Sequence, residues 1–367
     1  MLNEAAYWIT LAHIPGWDCV KINRLISLIY QQQCITLEEF FDLPETEWQK
    51  QYNLGPSDIE ELNAAKKELP NNEFLAEQLE NEGYELIPVT SPDYSQTLKK
   101  NLKTTHAPVL LYAKGNKQIL QEKSVAIVGS LDASEVSLEF TDHIAQMATR
   151  DFKVVVSGFA KGVDKQALDS AIRYIGQSII VLPQGIMTFN TGFKTYNKQI
   201  DDGDILVVSI FHPRAPWKEE LAMAQNPIIY ALADEIYVAE SSETGGTWSG
   251  VIDGLRKKRK IYVRKPESIE DNANNLLIEK GAVAVDIQGN EILDESAIRA
   301  KALDAEFEKK ILKLLKSGEY TTKDILKRLG INWSDTRLRD FLKTQKGIEI
   351  INKKPLRYTG KQQTLFD

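Results

Sequence analysis

The sequence predicts an α/β chain whose centre is a mostly parallel sheet covered by helices on both faces, with a small helical domain before it and a helical domain with a hairpin after it. Three observations carry this reading. From Lys123 onward, short β-branched runs at 125–128, 154–156, 179–182, 205–210, 236–238 and 261–263 alternate with helical patterns, as parallel strands joined by crossover helices do. Before residue 70 the apolar residues fall at helical spacing instead, as in Ile22, Leu25, Ile26 and Ile29. The length, 367 residues, exceeds what one ordinary core fills and calls for two or three domains.

Taken in order, residues 1–70 read as short helices joined by the turns Ile14-Pro15-Gly16 and Leu54-Gly55-Pro56, an arrangement like a SAM or helix-hairpin-helix domain. A glycine turn opening a helix presents free N–H groups to a DNA phosphate, but the flanking residues are not basic, which favours contact with proteins. Residues 71–122 read as a connector with its own helix and short strands near 84–89 and 108–112, and residues 123–290 as the sheet domain. The polar stretch 286–296, with Gly289 and Asn290, breaks the pattern. Residues 304–359 then give three helices and a hairpin, the outline of a winged helix, with Thr321 placed to cap one helix start and Gly330 to end it. Residues 360–367 have no core pattern and are expected to be a flexible tail.

Composition narrows the class. With 43% hydrophobic and 26% charged residues the chain is neither fibrous nor disordered. Cys19 and Cys34 have no metal-ligand spacing and imply no disulfide framework, so both are expected as buried packing residues. The first residues lack a basic region followed by an apolar run, and no later stretch reaches the roughly 18 apolar residues of a membrane span. A cytoplasmic protein without a membrane partner is expected. The net charge of −7 argues against a surface that coats nucleic acid broadly. It is uneven, however: residues 304–361 carry 15 Lys and Arg against 8 Asp and Glu, so attraction to DNA is expected to be local. His13, His106, His143 and His212 are scattered without the spacing of a catalytic triad or metal site, and each is expected as a surface or capping residue. No catalytic set, metal or cofactor is expected.

Three loops carry chemistry. The first strand of the core ends in Gly129-Ser130, with Ser134 before a helix starting near Glu135; glycine admits a close ligand, and hydroxyls and N–H groups at a helix start bind anions. The second strand ends in Ser157-Gly158-Phe159-Ala160-Lys161-Gly162-Val163-Asp164, a second phosphate cradle on the same sheet edge, in which Asp164 either caps the following helix or touches the ligand. The third, Ser241-Ser242-Glu243-Thr244-Gly245-Gly246-Thr247, places paired glycines at another helix start.

With the run Ile179-Ile180-Val181-Leu182-Pro183-Gln184-Gly185, the first two loops resemble the successive signatures of the DprA/Smf family, and the likeness extends to Tyr7-Trp8 with Ile14-Pro15-Gly16 and to the winged-helix outline. This resemblance implies a Rossmann-like core of the SLOG superfamily that binds single-stranded DNA, pairs as a homodimer and helps load the RecA recombinase during DNA uptake, without being an enzyme. It places Gly129, Ser130, Ser157, Gly158, Lys161, Gly162 and Asp164 in the DNA pocket, with Lys161 supplying the charge. The chain departs from the family where an arginine usually follows the Gly-Ser pair, here Leu131; where an Arg-Asn-Arg segment usually stands, here Gln225-Asn226-Pro227; and at a histidine position, here Leu168. Without these guanidinium groups bidentate phosphate contacts are lost, so the pocket either holds DNA more weakly or serves a nucleotide or a protein.

Two further stretches stand outside the loops. Arg256, Lys257, Lys258, Arg259 and Lys260 end a predicted helix, where positive charge suits the helix dipole, or they guide a DNA backbone. Gln362-Gln363-Thr364-Leu365-Phe366 resembles the short peptide by which bacterial proteins dock on the sliding clamp, with Gln362, Leu365 and Phe366 as anchors. Two alternatives compete with the DNA-binding reading. One is a nucleotide sensor or phage-defence adaptor using the same pocket. The other is a LOG-type phosphoribohydrolase, weakened because no carboxylate follows Gly245-Gly246-Thr247-Trp248 at the spacing those enzymes use.

Overall fold

The computed structural model describes residues 4–268, 270–293, 295–331, 333–345, 348–351 and 355–360. The chain divides into two compact units, residues 1–292 and 293–367.

The first unit opens with six helices: α1 (Glu4–Ala12), α2 (Cys19–Ser27), α3 (Leu37–Asp42), α4 (Glu45–Tyr52), α5 (Pro56–Lys67) and α6 (Leu69–Asn81). Local signals set their ends. Asp18 caps α2, Thr36 and Glu39 form a capping box at α3, and Pro56 sits in the first turn of α5. At the turn before α5 the N–H of Gly55 is already taken by Asp58, which also holds Lys21, so this turn does not offer a free phosphate cradle. The helices share one continuous core with the sheet, through Trp8, Leu11, Phe40 and Leu79 on their side and Leu111 and Val207 on the other. The segment read as a separate small domain is thus packed onto the sheet, with Asn23 donating to the carbonyl of Ala107 at 2.8 Å and His13 Nε2 lying 2.8 Å from the Tyr112 hydroxyl.

Nine strands form one sheet: β1 (Glu85–Pro88), β2 (Leu110–Gly115), β3 (Ser124–Val128), β4 (Val154–Ser157), β5 (Ser178–Val181), β6 (Ile205–Ser209), β7 (Glu235–Val238), β8 (Ile261–Arg264) and β9 (Val283–Val285). Their order is β1-β2-β6-β5-β4-β3-β7-β8-β9; β3 to β9 pair in parallel, and β1 and β2 antiparallel. The stretch read as a connector therefore builds two strands of the sheet, together with α7 (Gln96–Leu102). The crossover helices are α8 (Glu135–Arg150), α9 (Val163–Arg173), α10 (Asn190–Asp201), α11 (Glu219–Leu232), α12 (Gly245–Arg256) and α13 (Asn274–Glu279). Strands β3 to β6 are buried along their whole length, as continuous apolar runs covered on both faces require.

The second unit consists of α14 (Glu295–Leu315), α15 (Thr322–Leu329), α16 (Asp335–Thr344) and the hairpin β10 (Ile348–Ile351) and β11 (Arg357–Gly360), the elements of a winged helix. Ile311, Leu315, Ile325, Leu338, Leu342 and Tyr358 form its own core. Thr321 caps α15 in a capping box with Asp324, and Gly330 ends it in the left-handed conformation. The helix α14 begins well before residue 304, where the sequence pattern placed the start of this domain. Gln362, Leu365 and Phe366, the clamp-peptide candidates, lie outside the described residues, as do residues 361–367 of the expected tail 360–367, whereas Gly360 ends β11.

The cysteines correct one expectation. Cys19 is half-buried and Cys34 is exposed, because Cys34 closes the π-helical turn 28–33 in a left-handed conformation that carries its side chain outward. Among the described residues no helix is long and apolar enough to cross a membrane.

Candidate functional site

After β3 the chain steps outward through β4, β5 and β6, then returns to place β7 on the other side of β3. Loops leaving β3 and β7 diverge at this switch point and open a crevice at the C-terminal edge of the sheet, where open α/β sheets hold their ligands. A cavity of about 570 Å³ occupies it, bordered by Gly129 and Leu131 after β3, Lys161 and Asp164 after β4, Pro183 and Gln184 after β5, and Gly246 and Thr247 after β7. The helix α11 closes its side with Gln225 and Asn226, and a second cavity of about 250 Å³ continues past Asn226 and Tyr230 between α11 and α12.

The first two glycine loops touch through backbone, and the third reaches the first through a threonine hydroxyl. Gly162 is left-handed (φ +82°), and a Cβ there would come within 2.4 Å of the carbonyls of Ser130 and Leu131. The Val163 N–H donates to Ser130 O at 3.2 Å, and the Thr247 hydroxyl donates to Gly129 O at 3.1 Å. A Cβ at Gly246 would lie 2.2 Å from the Asn226 amide. Neither α9, entered through Gly162, nor α12, entered through Thr244 and the left-handed Gly245, has a side-chain cap; at α9 the Val163 and Lys165 N–H groups go instead to Ser130 O and Ala160 O, so the more open helix start is that of α12.

The singled-out hydroxyls do other work. Ser157 is buried and donates to Ile127 O at 2.8 Å and to Asp164 Oδ1 at 3.0 Å, tying β4 to β3. Ser134 caps α8 and donates to Glu240 Oε2 at 2.6 Å, so it faces a carboxylate. The Ser130 hydroxyl accepts from the N–H of Asp132 within its own turn. Gly158 has no room for a side chain, since a Cβ would meet Asp164 Oδ2 at 2.5 Å and Gln225 Nε2 at 2.6 Å. Asp164 accepts from Ser157 and from the Ala160 N–H; burial nevertheless pushes its carboxyl up to about 6, the two hydrogen bonds opposing the rise. Lys161, 81% exposed in its side chain, borders the cavity and pairs with Asp132 at 2.9 Å outside its lining.

Both arginine-replacing positions border the crevice. Leu131 is 58% exposed at its rim. Gln225 donates to Val181 O at 2.9 Å from inside α11, and Asn226 lines both cavities. Leu168, at the histidine position, is buried in the core. An apolar wall escaped the sequence reading: Phe159, Phe189, Met223, Tyr230 and Trp217, the last 59% exposed, all line the cavity. The only local signal was Trp217 in a loop with no pattern to bury it.

The basic run is largely engaged. Arg256 and Lys257 pair with Asp253, Lys260 with Glu291, and Arg259 donates to the carbonyls of Tyr230 and Ala233 at the end of α11. It stands at the far end of α12 from Gly246, about 15 Å along the helix, and so does not border the larger cavity. The histidines are not all scattered: His13 and His212 meet edge to face at 5.3 Å, and burial with the neighbouring His212 pushes His13 down to about 4. No cluster of His, Cys, Asp and Glu able to hold a metal occurs among the described residues.

A doubly wound sheet with glycine loops and the open start of α12 gathered at its switch point defines a Rossmann-like ligand-binding protein. The sequence profile of the DNA recombination-mediator protein A family matches residues 85–297, more than half of the chain, and the chain belongs to this family, the DprA/Smf proteins. It is 32% identical to the DNA processing protein DprA of Streptococcus pneumoniae over 196 residues, covering 52% of this chain and 67% of that one. Against the DprA of Bacillus subtilis the identity is 26% over 211 residues, 56% of this chain and 69% of that one. The solved structure of the Streptococcus pneumoniae protein superposes with a TM-score of 0.58 at 22% identity, over 78% of this chain and 95% of that one, a likeness of fold.

Proposed function

We propose that this chain is a non-catalytic binder of single-stranded DNA, which it holds in the switch-point crevice, and that it acts as a homodimer alongside the RecA recombinase. The observation that carries the reading is the crevice itself: a cavity of about 570 Å³ with glycine-opened backbone, the uncapped start of α12 and an aromatic and apolar wall, in a member of the DprA/Smf family. Lys161 is the lone cation on that cavity's border among the described residues, against Asp164 and Glu219. Affinity then comes mainly from bases stacked on Phe159 and Trp217 and from backbone N–H groups, with little from ion pairs. The phosphate-binding role is carried by Gly129, Ser130, Gly158, Lys161, Gly162, Gly245, Gly246 and Thr247 acting chiefly through backbone, with Ser134, Ser157 and Asp164 holding the loops in shape.

Titration of the purified chain with oligo-dT over a range of salt tests this. Binding is expected with a shallow salt slope, near that of about one neutralised phosphate, log–log slope about −0.7. A steep slope, or no binding, would defeat it. The size of the cavity and the absence of arginines at Leu131 and 225–227 favour one second reading, a nucleotide ligand, for which cavities of this size suffice. A panel of nucleotides titrated in parallel separates the two: saturable nucleotide binding without oligo-dT binding selects the second.

A further inference from the structure

The smaller cavity, of about 250 Å³ between α11 and α12, has no part in the function proposed above, although it shares Met223, Asn226, Tyr230 and Gly246 with the crevice. Its walls are mostly apolar, with Leu102 from the end of α7, Pro227 and Tyr230 from α11 and Ile236 from β7.

The polar groups of this lining divide into those already engaged and those still open. Asn101 gives its amide N–H groups to the carbonyls of Ala231 and Ala233 at 2.8 and 3.2 Å, Arg259 donates to Tyr230 O and Ala233 O, and Lys257 pairs with Asp253 at 2.7 Å. Neither cation of the lining is therefore free for a phosphate. Apart from the exposed Ser249 hydroxyl, what stays open is mostly acceptor. The Asn101 side-chain oxygen accepts no hydrogen bond among the described residues, and Pro227, inside α11, has no N–H to give the Met223 carbonyl one turn earlier. Asn226 makes no side-chain hydrogen bond among the described residues, and its amide lies against Gly246 where the two cavities meet. It offers a donor and an acceptor side by side.

We propose that this side cavity takes one base of the strand held in the crevice, and that it selects adenine. Charge and size choose the base as the occupant. With no free cation the sugar-phosphate backbone is left outside, and about 250 Å³ equals the room of roughly eight water molecules, enough for one planar ring system and too little for a length of strand. Hydrogen bonding chooses which base. An asparagine amide pairs with the amino group and the adjoining ring nitrogen of adenine through both its groups. The second amino hydrogen then has the Asn101 oxygen or the Met223 carbonyl to meet. Thymine brings two carbonyls and a single N–H to the same acceptors, so its own acceptors go unpaired. Cytosine also carries an amino group beside a ring nitrogen, but it covers less of the apolar wall and ranks second. This inference rests on the reading of the crevice as a site for single-stranded DNA and adds a base preference to it.

Competition binding with dT oligomers of about six nucleotides, carrying one adenine at each position in turn, tests it. At one interior position adenine is expected to tighten binding at least about fivefold over all-dT, the low end of what one bidentate amide–base pair discriminates. Unsubstituted purine there, the same rings without the amino group, is expected to bind like thymine. Asn226→Ala is expected to bring the ratio of adenine to all-dT affinity down to about one. Ser249→Tyr, at an exposed position of α12 on the cavity lining, obstructs the cavity without replacing a core residue and is expected to lower the ratio in the same way. The ratio is the readout because a general weakening of crevice binding would leave it at the wild-type value. All-dT binding without an adenine gain at any position overturns the inference and leaves the crevice reading standing. So does a gain shared by purine, which would be stacking alone, or a gain that survives both variants, which would seat the base elsewhere. If no oligomer binds, the crevice reading falls and this inference falls with it.

Discussion

Lys161 and Leu131 face the same opening, and each makes a prediction about charge. Replacing Lys161 by alanine is expected to weaken oligo-dT binding by about 1 kcal/mol and to flatten the salt slope toward zero; unaltered affinity and slope in a folded variant would move the strand elsewhere. Leu131→Arg sets a planar guanidinium at the rim, beside the Asp132 that already draws Lys161, and is expected to tighten binding by about 1–2 kcal/mol. Fluorescence anisotropy with labelled oligo-dT measures both. Two buried groups set opposing pH trends. His13 is held down to about 4, so between pH 6.5 and 4 the unfolded chain binds a proton that the folded chain refuses. Stability from this group is lost as pH falls through that window, by about 3 kcal/mol at most. Asp164, raised to about 6, behaves inversely: the folded chain takes up its proton first, and stability is gained as pH falls from above 6 toward 4. Urea unfolding is expected to show His13→Gln losing less stability than the wild type between pH 6.5 and 4, and Asp164→Asn losing more. Parallel pH profiles in all three proteins would show that neither group titrates as its burial dictates.

Among the elements, the winged-helix unit gives the sharpest contrast between count and arrangement. Its residues 304–361 are strongly basic by count, yet Arg337 is held by Asp304 and Arg339 by Asp335, and Arg328 lies over the Tyr320 ring. Exposed ion pairs of this kind are weak, but they offset the charge that α16 would bring to a DNA groove. A chain ending at Ile292, between the two units and ahead of α14, is expected to keep oligo-dT affinity within about threefold, a change below 1 kcal/mol. Complete loss in electrophoretic mobility shifts would transfer the DNA-binding role to the second unit. A cut at residue 304 is less clean, because it falls inside α14 and leaves the first part of that helix on the first unit after the core it belongs to has been removed.

At the scale of the whole molecule, the parallel core was legible in the sequence because its code is local. Buried parallel strands must be short apolar runs, and their crossovers must be helices, so 125–128, 154–156 and 261–263 announced themselves as strands, and Gly129, Gly162 and Gly246 announced the loops between strand and helix. Local signals also marked Thr321 and Gly330 as the ends of α15, since a cap is decided within four residues. What only the tertiary structure decided are relations between distant segments. The strands β1 and β2 read as a connector because nothing local says that Tyr112 will pair with Ser209, and the first six helices read as a separate domain because their shared core with the sheet is made of contacts a hundred residues apart. Ser134 and Ser157 read as ligand groups until folding brought Glu240 and Ile127 within reach of their hydroxyls. The wall of Phe159, Met223, Trp217 and Tyr230 comes from separate loops and helices, and no spacing along the chain encodes it. Residue type and neighbours in sequence set what each segment can become; the sheet order, which closes through non-local hydrogen bonds and packing, sets which of these residues meet.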